Sequence, residues 1–130
     1  MKKMILLLLA LPLTGCAIGI VNSSSTLNEK PFATVEMAGD ITQASRCVGR
    51  YWENATKTDL NDLWEVRTYS YQVEVSGVHL GQGRPPVGLV IDFQEQDGKT
   101  IAYAHISRLF KSDKDRIETT RKALAACKAK

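Results

Sequence analysis

Three cysteines and two histidines are the side chains in this chain of 130 residues that could most readily do chemistry. A cysteine nucleophile needs a neighbouring base, and neither His79 nor His105 lies in a recognisable catalytic motif. Two distant cysteines and two scattered histidines do not readily supply the ligands of a metal site. The chain also contains no Gly-x-Ser-x-Gly motif. The sequence therefore predicts no enzyme activity, no metal site and no cofactor.

The first cysteine ends an N-terminal export signal. Met1-Lys2-Lys3 is a short basic start, an apolar run follows at 4–13, and small residues precede Cys16. The run is too short to cross about 30 Å of hydrocarbon. Leu13-Thr14-Gly15-Cys16 resembles the lipobox of bacterial lipoproteins. The resemblance implies cleavage after Gly15 and lipidation of Cys16 by a diacylglyceryl thioether, usually with acylation of its new α-amino group.

The same resemblance implies a location. Two or three lipid chains, with about 0.8 kcal/mol for each buried CH₂, hold a protein on a membrane that it does not span. Ala17 rather than Asp follows the cysteine. In Gram-negative lipoproteins this implies delivery to the outer membrane, and we expect the domain to face the periplasm. An uncleaved membrane helix over 4–21 is the alternative, which Pro12, Gly15 and Gly19 disfavour.

Cys47 and Cys127 remain after Cys16 is assigned to the lipid. Oxidising compartments permit disulfides, and an exposed free thiol there is a liability. We therefore predict a Cys47–Cys127 disulfide. Chain-entropy models assign about 4–5 kcal/mol to a loop of this length. Two buried, reduced cysteines are the alternative.

Two predicted helices present these cysteines from their apolar faces. Asp40 and Gln43 form a capping-box pattern, and apolar residues at helical spacing then predict a helix near 41–54. A second helix is predicted to start near Ser112-Asp113 and to run toward the C-terminus.

Alternating side chains predict the strands between the helices. They cover 64–75, 87–93 and 100–107, and Asp97-Gly98 forms a hairpin turn between the last two. The Gly- and Pro-rich segment at 77–86 is predicted to be an irregular loop.

The fold class that follows is α+β in the order α-β-β-β-α. We expect a three-stranded antiparallel meander with two helices on one face, linked by the disulfide. A short strand over 34–37 is a possible fourth. The predicted organisation is a signal peptide at 1–15, the lipidated cysteine and a flexible tether at 16–32, and a single domain at 33–130.

Candidate partner contacts lie in the 77–86 loop and in the C-terminal segment. Loops carry binding residues disproportionately, and this loop contains His79 and Arg84. Residues 108–130 have an excess of basic side chains, whereas 16–107 have an excess of acidic ones. The basic candidates there are Arg116, Arg121 and Lys122. The alternatives are a plain hairpin connector and a solvated helix face.

These observations predict a non-enzymatic envelope lipoprotein that acts as a small interaction or adaptor module. Its expected partners are the membrane, through the lipid anchor, and an envelope protein or the cell wall. Nucleic acid is not expected, because loss of Lys2 and Lys3 lowers the formal charge from +3 to about +1. The layout loosely resembles small uncharacterised proteobacterial outer-membrane lipoproteins.

A small-ligand or lipid-binding carrier is the alternative function, with the tyrosine-rich face of the sheet as the pocket wall. A helix–sheet interface filled by side chains would favour the adaptor. A cavity of about 300 Å³ or more at that interface would favour the carrier.

Overall fold

The computed structural model describes residues 22–58, 65–76 and 87–130, and over these ranges the chain is an α+β protein. Three α-helices and one 3-10 helix accompany the five strands of one sheet over these ranges. The helices are α1 (Ser23–Leu27), α2 (Ile41–Thr58) and α3 (Lys114–Ala126), with a 3-10 helix at Arg108–Phe110. The strands are β1 (Ala33–Met37), β2 (Glu65–Thr68), β3 (Gln72–Ser76), β4 (Val87–Gln96) and β5 (Lys99–Ile106).

The sheet is antiparallel throughout and has five strands in the order β1-β5-β4-β3-β2. The predicted three-stranded meander is present only in part, since β3, β4 and β5 are its core and one more strand lies beyond each side. β4 and β5 form the predicted hairpin, in which Asp97 and Gly98 have φ angles of 53° and 76°. A two-residue turn with positive φ angles matches the twist of its flanking strands.

The prediction of one strand over 64–75 is wrong. β2 and β3 are two strands that pair antiparallel, with Val66 opposite Val75. Tyr69 N–H donates to Gln72 O at 2.8 Å and closes the turn between them. Tyr69 and Tyr71 stack on each other in this turn and are exposed, with ring centroids 6.0 Å apart. The alternation misled because it continues through the turn.

The extra strand predicted over 34–37 is confirmed. It is β1, which begins at Ala33 and pairs with β5, with Val35 opposite Ala102. β1 and β2 are therefore the two edge strands of the sheet.

α2 and α3 begin at the caps that the sequence predicts. Gln43 N–H donates to Asp40 Oδ1 at 2.8 Å, and Asp40 N–H donates to Gln43 Oε1 at 2.9 Å. This capping box satisfies amide groups that the first helical turn leaves unpaired. α2 continues to Thr58 rather than ending near Asn54. Asp113 caps α3 by accepting from Arg116 N–H at 3.1 Å.

α2 and α3 pack on the same face of the sheet, and buried side chains fill the space between these helices and the sheet. The largest of them include Trp52, Leu89, Ile91 and Leu124, all less than 2 % exposed. The predicted disulfide is confirmed: Cys47 of α2 and Cys127 after α3 are bonded, with 6.0 Å between their Cα atoms. The bridge thus fixes the end of α3 to the middle of α2.

The segment from Asn22 to β1 is folded, within the predicted tether at 16–32, of which residues 16–21 lie outside the described residues. Asn22 caps α1 in a capping box with Ser25. The buried Thr26 hydroxyl donates to Val87 O at 2.7 Å, and Glu29 O lies 2.7 Å from His105 Nδ1. The polar composition suggested a solvated tether, but these hydroxyl and carbonyl groups hydrogen-bond to the sheet instead. Folded structure therefore extends at least to Asn22.

Candidate functional site

The outer edge of β1 leaves backbone groups available for pairing. All five residues of β1 lie opposite β5 residues, but in an antiparallel pair only every second residue directs its backbone groups at the partner strand. The groups of the alternate residues point away from β5, as shown by Glu36 O, which accepts from Ala129 N–H at 3.0 Å, and by Ala38 N–H, which donates to Cys127 O at 3.1 Å. Backbone direction alternates along a strand, so Thr34 N–H and C=O also face outward. Within the described ranges no backbone hydrogen bond reaches Thr34 on this side.

The C-terminal tail, residues 127–130, covers only the last part of this edge. Lys128 forms an isolated antiparallel bridge with Met37. The tail starts at Cys127, which the disulfide holds against α2. One part of the β1 edge is thus occupied by a strand from the chain itself, and the part around Thr34 is open.

The open part of β1 forms one wall of a groove of about 560 Å³, which we call the edge groove. It runs between β1, α3 and the C-terminal tail. Half-buried Val35 contributes apolar surface between the strand and the helix and packs against the core cluster that contains the buried Leu124. The lining residues are Ala33, Thr34, Val35, Glu36, Arg121, Leu124, Ala125, Lys128, Ala129 and Lys130.

Basic side chains stand around the edge groove. Arg121, Lys128 and Lys130 are exposed, against one acidic lining residue, Glu36. Arg121 of α3 lies beside the start of β1. Its Nη2 is 3.4 Å from Phe32 O, and its guanidinium carbon is 5.7 Å from the centre of the Phe32 ring. Because Lys128 pairs with Met37, positive charge is present at both ends of the strand. The groove therefore favours an anionic occupant.

Arg116 is a predicted contact residue that the structure places in the interior. It is 3 % exposed, its Nε lies 3.1 Å from Asp113 Oδ2, and its guanidinium covers the Phe110 ring at 4.4 Å. Burial lowers the pKa of Arg116, and the Asp113 carboxylate opposes that shift. The sequence shows a basic residue on a polar helix but not the ring and the carboxylate that bury it. Arg116 is thus a packing residue.

The other predicted contacts have different positions. Arg121 lines the edge groove. Lys122 is on an exposed face of α3, 62 % exposed, with Nζ 3.1 Å from Glu118 Oε1. Cys16, His79 and Arg84 lie outside the described residues.

Sequence reasoning missed most of the edge groove. The four β1 residues, Leu124, Ala125 and the tail lysines were not predicted as site residues, because their proximity depends on pairings between distant parts of the chain. The available signal was the alternation of Thr34 and Glu36 with Val35 and Met37, followed by alternating lysines at the C-terminus.

Another groove, of about 420 Å³, lies beside the disulfide. Exposed Arg46 and Arg50 of α2 line it, together with Tyr51. It offers side chains only, without the open backbone groups of β1. Among residues 22–58, 65–76 and 87–130, no group of His, Cys, Asp and Glu could hold a metal ion. None of the helices described here is long and apolar enough to cross a membrane.

A comparison with models of known protein families gives no match, and a comparison with curated proteins gives none either. The edge groove is therefore the feature on which a function can be argued. It combines open backbone groups, apolar surface from Val35 and surrounding positive charge, which are features of a peptide-binding surface.

Proposed function

We propose that this protein is a non-enzymatic lipoprotein of the cell envelope that works as an adaptor, binding a partner protein in the edge groove. Its anchor is the lipidated Cys16 in the outer membrane, with the domain on the periplasmic face. The observation that carries the adaptor role is the open stretch of β1 inside a basic groove. The lipobox sequence at 13–16 supports the anchor.

Because folded structure begins at the cap of α1, the connection between the domain and the lipidated Cys16 is short. Six peptide units join Cys16 to Asn22. A fully extended chain gains at most about 3.6 Å per residue, so this connection reaches about 20 Å at most. The domain is then held near the membrane surface, where a partner in the same membrane can reach it.

The packing of the helix–sheet interface supports an adaptor over a carrier. A carrier needs an enclosed apolar cavity for its ligand. Buried side chains such as Trp52, Ile91 and Leu124 fill the space between the helices and the sheet. The edge groove is larger than a small-ligand pocket requires, but it opens along a strand, in the manner of a peptide-binding surface.

Site-specific photocrosslinking in cells tests the adaptor role with the full chain. A benzoylphenylalanine replaces Ala125 in the edge groove, or Glu118 as the matched control on the exposed face of the same helix. We expect a defined protein adduct from position 125, none from 118, and loss of the adduct when Arg121→Glu is added. Equal adducts from both positions, or none from 125, would contradict the adaptor role.

The lipid anchor has a separate test. Cys16→Ser removes the thiol that carries the lipid, so the precursor should remain full length and incorporate no labelled palmitate. Ala17→Asp, which keeps the thiol, should still be labelled. Unchanged labelling of the serine variant would exclude the lipobox assignment.

A further inference from the structure

We infer that the occupant of the edge groove is an extended segment of a partner protein that pairs with β1 through Thr34 and carries carboxylates on both sides of an apolar residue. This inference rests on the proposed adaptor function and names the class of partner. Three features of the edge groove support it: the open backbone groups of β1, the basic side chains around the groove and the apolar surface inside it.

The backbone edge already accepts a strand from the chain itself. Ala129 N–H donates to Glu36 O, and Ala38 N–H donates to Cys127 O, so the tail is a short antiparallel neighbour of β1. The disulfide at Cys127 limits how far this tail can move. Thr34 lies beyond the tail's last backbone bond and has the same outward direction. A partner strand there continues a pairing that the fold has already begun.

The positions of the basic residues set the spacing of the carboxylates. Arg121 contacts Phe32 at the start of β1, and Lys128 pairs with Met37 at its end. Side chains at i and i+4 of a strand point to the same side and are about 13 Å apart. The tail occupies the edge beside Glu36, so the partner strand lies before it. One acidic residue can then reach Arg121, and the other can reach the tail lysines Lys128 and Lys130.

The apolar surface of the groove selects the residue between the two acids. Position i+2 of the partner strand points to the same side as i and i+4, which is the side of Val35 when position i+1 or i+3 lies opposite Thr34. Half-buried Val35 contributes apolar surface there, and exposed Ala125 also lines the groove. A residue such as valine fits there, so the pattern is acid-x-apolar-x-acid.

Fluorescence anisotropy with defined peptides tests this inference on the purified, disulfide-bonded domain. The probe is a labelled, terminally blocked peptide that contains Glu-Thr-Val-Thr-Glu. The control peptide has both glutamates replaced by lysine. We expect the acidic peptide to bind at low ionic strength at least about tenfold more tightly than the lysine peptide, and salt to weaken the binding.

Two matched pairs of variants separate the charge from the backbone. Arg121→Glu should weaken binding by about tenfold or more, while Lys122→Glu, one residue away and outside the groove, should change it by less than about threefold. Thr34→Pro removes the outward N–H and should weaken binding by about tenfold or more, while Thr34→Val keeps the backbone and should not. If Thr34→Pro does not fold, as judged by circular dichroism, the charge pair decides.

The inference is overturned if the lysine peptide binds as tightly as the acidic peptide, or if the acidic peptide does not bind at millimolar concentration. It is also overturned if a folded Thr34→Pro variant binds the acidic peptide normally, or if Arg121→Glu and Lys122→Glu weaken binding equally. Failure here can be told from failure of the adaptor role. Adducts from position 125 in cells with no strand-type binding would leave the adaptor in place with another binding mode. Peptide binding without adducts in cells would remove the adaptor role instead.

Discussion

The two edge strands of the sheet, β1 and β2, differ in how well their backbone groups are protected from pairing with another chain. β2 has four residues, and its exposed Arg67 and Glu65 form an ion pair at 3.1 Å. β1 has five residues, lies beside α3 and pairs in part with the C-terminal tail. An open edge is a template for another chain, and short length with charged side chains blunts that tendency. β2 has both protections, whereas β1 keeps an open stretch around Thr34.

This difference assigns the two edges different roles. On β2 the charges discourage pairing with any strand. β1 itself carries Glu36, but the basic residues Arg121 of α3 and Lys128 and Lys130 of the tail stand around the groove beside it. Such an arrangement selects a partner strand by its charge rather than excluding all partners. Each prediction below changes one edge and leaves the other as its control.

Removing the disulfide should have the largest effect. Cys47→Ala with Cys127→Ala opens a loop with a sequence separation of 80, so we expect a loss of about 4 kcal/mol in the free energy of unfolding. The tail should also loosen from β1, since Cys127 is its starting point. Denaturant unfolding gives the first quantity. Faster hydrogen exchange at Ala38 and Ala129, with β2 unchanged, gives the second, and equal acceleration at β2 would contradict the link to this edge.

Proline at adjacent positions of β1 should separate its inner and outer sides. Val35 faces β5, so Val35→Pro breaks the ladder and should cost about 3 kcal/mol or more. Thr34 faces outward, and Thr34→Pro should cost less than about 1 kcal/mol, because proline is tolerated where the N–H of an edge strand faces solvent. Thermal melting of both variants checks this. Equal destabilisation would mean that the outward direction of Thr34 is wrong.

A change at Gly49 should disturb the β2 edge alone. A Cβ atom at Gly49 of α2 would collide with the side chain of Thr68 in β2. Alanine gains about 1 kcal/mol in helix propensity, but overpacking costs about 1–3 kcal/mol. We expect Gly49→Ala to lose about 1 kcal/mol in unfolding experiments and to bind the acidic peptide normally. Adding Thr68→Ala removes the two nearest atoms and should recover most of the loss; no recovery would exclude this contact as the cause.

The charges on β2 should matter least for stability. Arg67 and Glu65 have side chains 45 % and 53 % exposed, and exposed ion pairs contribute about 0–1 kcal/mol. Replacing both with valine should change the free energy of unfolding by less than about 1 kcal/mol. It should, however, promote self-association through this edge, detectable by light scattering. A variant that stays monomeric at high concentration would argue against a protective role for these charges.

Local signals in the sequence were enough to predict several elements of the fold. The Asp40–Gln43 capping box gave the start of α2, and Asp97-Gly98 gave the hairpin between β4 and β5, because each signal acts over a few residues. The disulfide followed from the number of cysteines left after Cys16. The split between β2 and β3 did not follow, since alternation runs unbroken through the Tyr69–Tyr71 turn.

The edge groove could not be predicted because long-range contacts create it. β1 pairs with β5, about 70 residues away, and then with the tail, about 90 residues away. Of the three basic candidates on α3, Arg121 lines the groove. Arg116 looked equivalent in the sequence, but Phe110 and Asp113 enclose its side chain. Which of two similar arginines is available to a partner is thus decided by packing.

The central claim is that β1 binds an extended acidic segment through its outward backbone groups, and the Thr34 amide reports on it directly. Hydrogen exchange of this amide can be followed by NMR as the Glu-Thr-Val-Thr-Glu peptide is added to the disulfide-bonded domain. Formation of a backbone hydrogen bond should slow exchange at Thr34 by at least about tenfold, while the β2 amides remain unchanged. Saturation with peptide without any slowing at Thr34 would contradict the account.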